Sequence, residues 1–250
     1  MQCAIEFENL NVCVIVPAYN EEENIVSVLQ DIHNANENYT IVVIDDGSVD
    51  STAKIAAKEK IAKIISLPCN LGIGGAVETG FKYAYENNFD IAIQFDGDGQ
   101  HIAAEIEKLL EPIVKNEADA VIGSRFLHKN QQGFRSTFMR RIGIKIFEII
   151  CRIFIGQRIS DCTSGFRAYN KKAIEMLANN YPTDFPEPET VILLKKNYFR
   201  IMEIAVEMRE RIYGSSSIGN LKSIYYMVKV ILSMSMAKSR LSLKTRRENG

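Results

Sequence analysis

Two aspartates separated by one glycine, Asp96-Gly97-Asp98, end the apolar run Ile91-Ala92-Ile93-Gln94-Phe95 and are followed by Gly99, Gln100 and His101. Side chains of an extended chain alternate with period two, so Asp96 and Asp98 share one side, and Gly97 lets another group come close to the backbone. Two hard carboxylate oxygens on one side suit Mg2+ or Mn2+ carrying a diphosphate, because phosphate and water complete the octahedron. The same residues also read as a strand running into an acidic turn, and by themselves they leave both readings open. His101 reads as a structural turn residue and is not counted as a ligand.

A site of this kind needs strands to end together. Val12 to Val16, Ile41 to Ile44, Ile64 to Leu67, Ile91 to Phe95 and Ala120 to Gly123 are short, β-branched runs closed by Pro, Asp or Gly, and they read as buried parallel strands. Stretches of helical period lie between them: Glu22 to Asn34, Ser51 to Glu59 with Asp50 and Ser51 as caps, Gly75 to Asn87, and Ala103 to Glu117. Alternating strands and helices predict an open, doubly wound, mostly parallel α/β sheet, with ligands at the carboxyl ends of the strands. Tyr19-Asn20-Glu21, Asp45-Asp46-Gly47-Ser48, Asn70-Leu71-Gly72 and Asp96-Gly97-Asp98 each follow a strand. Four turns thereby become one site, and the metal reading moves ahead of the bare turn.

The composition sets bounds on partners. Thirty basic residues against 31 acidic ones in 250 give a formal charge of −1, without the global basic field of a nucleic-acid binder. The five cysteines are scattered without a Cys-x-x-Cys pair, which fits a reducing cytosol and no zinc site. Met1 to Asn11 lack the pattern of a secretory signal, and no apolar run reaches the ~18 residues of a confident membrane span.

The second half is less regular. Phe138 to Gly156 reads as an amphipathic helix, either packed on a core or lying at a membrane interface. The compact segment Ser160 to Tyr169, a helix from Lys171 to Asn179, a stiff acidic loop from Tyr181 to Glu189, a helix from Thr190 to Lys196 and a strand from Phe199 to Met208 follow. Leu221 to Met236 suits an interfacial helix, and Lys238, Arg240, Lys244, Arg246 and Arg247 form a basic tail that is either solvated or drawn to an anionic membrane.

Together, Val14-Ile15-Val16-Pro17-Ala18-Tyr19-Asn20-Glu21-Glu22, Val43-Ile44-Asp45-Asp46-Gly47-Ser48, Asn70-Leu71-Gly72, Phe95-Asp96-Gly97-Asp98-Gly99-Gln100-His101 and Asp161-Cys162-Thr163-Ser164-Gly165-Phe166-Arg167 resemble the family 2 inverting glycosyltransferases. Within them the chain is most similar to the dolichol-phosphate mannose synthase and polyprenyl-phosphate sugar transferase branch, over about residues 12 to 215. The resemblance implies a GT-A fold over residues 1–215, with residues 216–250 as an amphipathic helix and basic tail. It also implies a nucleoside-diphosphate sugar donor and transfer of a hexose to a polyprenyl-phosphate, lipid-linked or saccharide acceptor. Peripheral attachment at the cytoplasmic face of the membrane goes with that reading.

Carried over position by position, the family pattern implies that Pro17, Tyr19 and Glu21 line the nucleotide pocket and that Asp46 hydrogen-bonds the base or ribose. An aromatic ring offers a base a stacking face and a carboxylate accepts an N–H or hydroxyl, whereas Asp45 reads as a turn cap. Asp96 and Asp98 would hold the metal, Gln100 stands where the family can complete the coordination, and Arg125 and Arg211 match arginines that contact phosphates. Gly72 begins Gly72-Ile73-Gly74-Gly75, which follows the third strand rather than the first; it reads as a family element that lets backbone approach the donor, not as a dinucleotide fingerprint. Where mannose synthases follow Tyr-Gly with lysine, this chain has Ser215-Ser216-Ser217, which favours a UDP-sugar over GDP-mannose.

Glu187 and Glu189 are the candidates for a base. A sugar hydroxyl attacking by direct displacement needs a carboxylate opposite the leaving group, whereas a lipid phosphate oxygen is already anionic. Pro186 and Pro188 could aim either glutamate at the acceptor, and a solvated acidic loop is the alternative. Two other function classes fit parts of the pattern: a sugar nucleotidyltransferase, which usually has a Gly-rich loop with lysine after its first strand, and a non-catalytic nucleotide-binding module of a membrane complex.

Overall fold

A computed structural model describes residues 10–127, 152 and 156–209. Arg211, the helix expected at Leu221 to Met236, the basic tail and nearly all of Phe138 to Gly156 lie outside the described residues, as does the 216–250 segment.

Strand and helix alternate through β1 (Val12–Ala18), α1 (Ile25–Ala35), β2 (Thr40–Asp45), α2 (Thr52–Glu59), β3 (Ala62–Ser66), α3 (Gly72–Glu86), β4 (Ile91–Gln94), a 3-10 turn (Ala103–Glu105), α4 (Ile106–Val114) and β5 (Ala120–Ser124). Then come β6 (Arg167–Asn170), α5 (Lys171–Asn180), α6 (Pro186–Lys196) and β7 (Ile201–Ala205). The described strands form a seven-stranded sheet in the order β3-β2-β1-β4-β6-β5-β7. From β1 the chain winds outward to β2 and β3 on one side, then returns to place β4 on the other. The strand order therefore reverses between β1 and β4, where such sheets open a crevice for ligands.

Period-two alternation divides the core. Cys13, Ile15, Val42, Ile44 and Ala92 face a layer made by α3, α5 and α6, including Phe81, Leu177 and Ile192. Val14, Val16, Val43 and Ile93 face α1 and α4, including Leu29, Ile32, Leu109 and Leu110. Burial on both faces explains why these strands are near-continuous apolar runs.

Four local expectations are corrected. β3 is an edge strand with no fully buried residue, since it pairs only with β2. β5 does not lie against β4: β6 runs antiparallel between them, and β5 is parallel only to β7. Ser51 makes no side-chain cap of α2; Asp50 does, its Oδ1 accepting the Thr52 N–H at 2.9 Å. Finally, Pro186 to Glu189 is not loop but the first turn of α6. Proline is well suited there, because the first N–H groups of a helix have no intrahelical acceptor.

Candidate active site

The candidate metal seat lies where β4 ends beside β1. Ile15 pairs with Gln94 across the parallel ladder, so Asp96 comes level with Pro17. The Phe95 N–H donates to the Ile15 carbonyl at 3.0 Å and the Gly97 N–H to the Pro17 carbonyl at 3.3 Å. A Cβ at position 97 would lie 3.0 Å from that Pro17 oxygen. The close approach expected at Gly97 is thus made by the protein's own first strand, and Pro17, buried in β1, supports the floor of the site.

Asp96 is held on two sides and open on another. Its Oδ2 is 3.2 Å from His101 Nε2, and its carboxylate fills the space that a side chain at Gly165 would take. The Asp96 side chain remains 33% exposed while His101 is 4% exposed, so one face of the carboxylate is left for a ligand. Burial acts to raise the Asp96 pKa, but the His101 hydrogen bond and the charge of Arg125 outweigh it and keep the carboxyl below the usual range. Asp98 Oδ1 accepts the Gln100 N–H at 3.1 Å in a tight turn, and the Gln100 carbonyl accepts the Arg209 N–H at 2.8 Å.

Arg125 faces this pair, though not as a free phosphate hook. Its Nε and Nη2 donate to Asp161 Oδ2 and Oδ1 at 2.7 and 2.8 Å, a bidentate pair with a fully buried carboxylate. Burial opposes the Arg125 charge, but Asp161, Asp96 and Asp98 together raise its pKa, so a permanent cation stands beside both seat aspartates. Asp161 is itself anchored: Glu203 on β7 accepts its N–H at 2.7 Å and the Ser160 N–H at 2.9 Å.

No group of three or more His, Cys, Asp or Glu side chains that could hold a metal occurs among the described residues. Two carboxylates with an accessible face fit a different arrangement, a hard divalent cation that takes its other oxygens from a diphosphate and water. Asp96 and Asp98 would supply that donor set, with the Gln100 backbone held beside them by its N–H bond to Asp98.

The residues expected to line a nucleotide pocket lie at the ends of β1 and β2. Tyr19, directly after β1, is 46% exposed and presents its ring outward. Glu21 Oε2 accepts from Asn24 Nδ2 at 2.7 Å, tying it to the start of α1. Asp45 Oδ1 caps a turn at Ser48 N–H, 3.2 Å away, while Asp46 Oδ1 accepts the Leu71 N–H at 2.7 Å. Asp46 is buried, which raises its pKa, and one of its oxygens is committed to the wall formed by the β3-α3 loop. Gly72 opens α3 at φ +81°, which favours glycine.

A further wall of the candidate site is the first turn of α6, where Glu187 feels the charge of Asp96. Burial raises Glu187 above the usual carboxylate range; Arg167 opposes this in part, and the charge of Asp96 adds to it. Glu187 and the seat therefore share an electrostatic environment. Glu189 is pushed up to about 7 by burial, with the charge of Asp184 adding to the rise. Arg167, which the sequence gives no reason to single out beyond its place in a motif, fastens this wall. From within β6 it donates to the carbonyls of Cys162 at 2.7 Å, Ser164 at 2.7 Å and Glu187 at 2.8 Å. His101, set aside as a turn residue, is in fact buried against Asp96.

A profile described as Glycosyl transferase family 2 matches residues 13–177, which include every one of these strand ends from β1 to β6. The chain belongs to glycosyl transferase family 2. This family 2 glycosyltransferase is 32% identical over 244 residues to the UDP-N-acetylglucosamine–dolichyl-phosphate N-acetylglucosaminyltransferase of Methanococcus voltae, covering 90% of this chain and 95% of that protein. It is 34% identical over 233 residues to the dolichol-phosphate mannosyltransferase of Pyrococcus furiosus, covering 88% of this chain and 64% of that one. Among solved structures, glucosyl-3-phosphoglycerate synthase of Mycobacterium tuberculosis, in complex with Mn2+, UDP-glucose and phosphoglyceric acid, superposes with a TM-score of 0.69 at 19% identity. That match covers 92% of this chain and 80% of the other. The glycosyltransferase thus has the GT-A fold and belongs with enzymes that use nucleotide or polyprenyl-phosphate sugars.

Proposed function

We propose that this enzyme transfers a hexose from a UDP-sugar to a polyprenyl phosphate with inversion, uses Mg2+ or Mn2+, and works as a peripheral protein at the cytoplasmic face of a membrane. The observation that carries the reading is the half-open Asp96 carboxylate at the β1-β4 crevice, with Asp98 and the Arg125 cation beside it. The Methanococcus voltae relative, named for a UDP-sugar and a dolichyl phosphate, supports this donor and acceptor.

A divalent cation held by Asp96 and Asp98, with Gln100 at the family's third position, would supply Lewis-acid stabilisation of charge on the departing diphosphate. The protein's own groups do the rest. Arg125, fixed by Asp161, contributes a preorganised positive charge that needs no rearrangement during the reaction. The Tyr19 ring offers the base a stacking face, and Asp46 keeps the β3-α3 loop in place. A lipid phosphate attacks through an oxygen that is already anionic, so Glu187 and Glu189 line the acceptor side without having to remove a proton.

The test is an assay of UDP-hexoses and UDP-N-acetylhexosamines against a polyprenyl phosphate in detergent, with Mn2+ or with EDTA. UDP release and a sugar-lipid product that stop with EDTA and return with Mn2+ are expected. Full activity in EDTA would remove the metal from the mechanism. Pyrophosphate release from a nucleoside triphosphate would make the protein a nucleotidyltransferase, and binding without turnover would make it a nucleotide-binding module.

A further inference from the structure

His101 occupies a closed slot between aromatic rings. Its ring stacks on Phe166 at 4.8 Å between centroids and 23° between planes, and meets Phe95 edge-on at 5.2 Å and 76°. Its backbone is bridged to Met208. Inside this slot Nδ1 is buried and has no hydrogen-bond partner, so the imidazole leaves a polar atom unsatisfied that a phenyl ring would not have. What the imidazole adds is the contact from Nε2 to Asp96 Oδ2, at 3.2 Å. A carboxylate only accepts, so Nε2 carries a hydrogen toward it.

On another side of Asp96 the backbone at Gly165 closes in: a Cβ there would lie 2.6 Å from Oδ1. The carboxylate is therefore gripped between a glycine and an imidazole, with its remaining face exposed. We propose that His101 is a positioning residue for the cation, setting the rotation of Asp96 so that its open face meets the metal on the donor diphosphate. This rests on the metal reading of the site. Loss of a group that orients a metal ligand through a hydrogen bond typically costs on the order of 10- to 100-fold in metal affinity or activity.

The full chain is titrated with Mn2+ in the presence of UDP and without acceptor, following the free-ion signal by electron paramagnetic resonance, and melting temperature is measured alongside. His101→Phe keeps an aromatic ring in the slot and loses the hydrogen bond; it is expected to weaken Mn2+ affinity on the order of 10- to 100-fold, with a melting temperature close to that of His101→Gln. His101→Gln keeps an N–H donor and is expected to retain most of the affinity. Wild-type affinity in His101→Phe overturns the inference, and so does a loss of affinity that merely follows a fall in melting temperature in both variants. Absence of Mn2+ binding by the wild-type protein would instead overturn the metal reading, and this inference with it.

Discussion

The carboxylate of Asp96 stands in the volume that any side chain at Gly165 would require, with both of its oxygens well inside van der Waals contact of a Cβ there. Contacts that short do not occur, so Gly165→Ala must rotate Asp96 away from His101 or displace the segment before β6. A misplacement of about 1 Å at a reacting centre costs on the order of 100-fold in rate. Gly165→Ala is expected to lose about that much turnover with a small change in melting temperature. Wild-type turnover in the variant would mean that Asp96 need not hold its observed rotation.

Arg167 makes a different kind of prediction, because it joins three carbonyls that no other described residue brings together. Arg167→Met would leave those of Cys162, Ser164 and Glu187 without this donor in a buried setting. At about 1 kcal/mol or more for each hydrogen bond lost from the charged donor, urea unfolding is expected to show a loss of about 3 kcal/mol. Arg167→Lys should recover little of it, since one ammonium cannot span the fork of a guanidinium. Full recovery in the lysine variant would show that charge rather than geometry matters there.

The parts of the fold and of the candidate site that are legible in the sequence are those carried by local pattern. β1, β2 and β4 are apolar because both faces are covered, and Asp46, Asp96 and Asp98 are conspicuous because they follow such runs directly. What stayed hidden depends on partners far along the chain. Arg125 is paired by Asp161, which is held by Glu203 in turn, and no local spacing links these three. β6 begins with Arg167 and ends with Asn170, a composition without a strand signature, because the Arg167 charge is met by carbonyls rather than by water. Pro186 and Pro188 suggest a loop to any local rule, yet the first turn of a helix tolerates both.

The proposed membrane attachment rests on residues outside the described part of the chain. Removing Leu221 to Gly250 deletes an apolar segment and the five basic residues of the tail, and is expected to move the protein from the membrane to the soluble fraction. The donor crevice is built from β1, β2 and β4, so Mn2+·UDP affinity should be unchanged, as measured by calorimetry. An unaltered fractionation profile would remove this segment from membrane binding.

Glu189 separates the two kinds of acceptor by pH. Its carboxyl is raised from an ordinary 4.5 to about 7 in the folded protein. Below about pH 4.5 both folded and unfolded states hold the proton, and the residue has no effect on stability. Between that pH and about 7 the unfolded chain releases the proton while the folded chain keeps it, so folding is progressively penalised as pH rises; above about 7 the penalty is constant. The melting temperature of the wild-type protein should therefore fall relative to Glu189→Gln across that window. A base poised near 7 is what a hydroxyl acceptor would need, and with such an acceptor Glu189→Gln should abolish transfer together with the acid limb of the pH profile. With a polyprenyl phosphate the attacking oxygen carries its own charge, and the glutamine variant should turn over at close to the wild-type rate. Severe loss on the phosphate acceptor would make Glu189 part of the chemistry and count against the proposed acceptor.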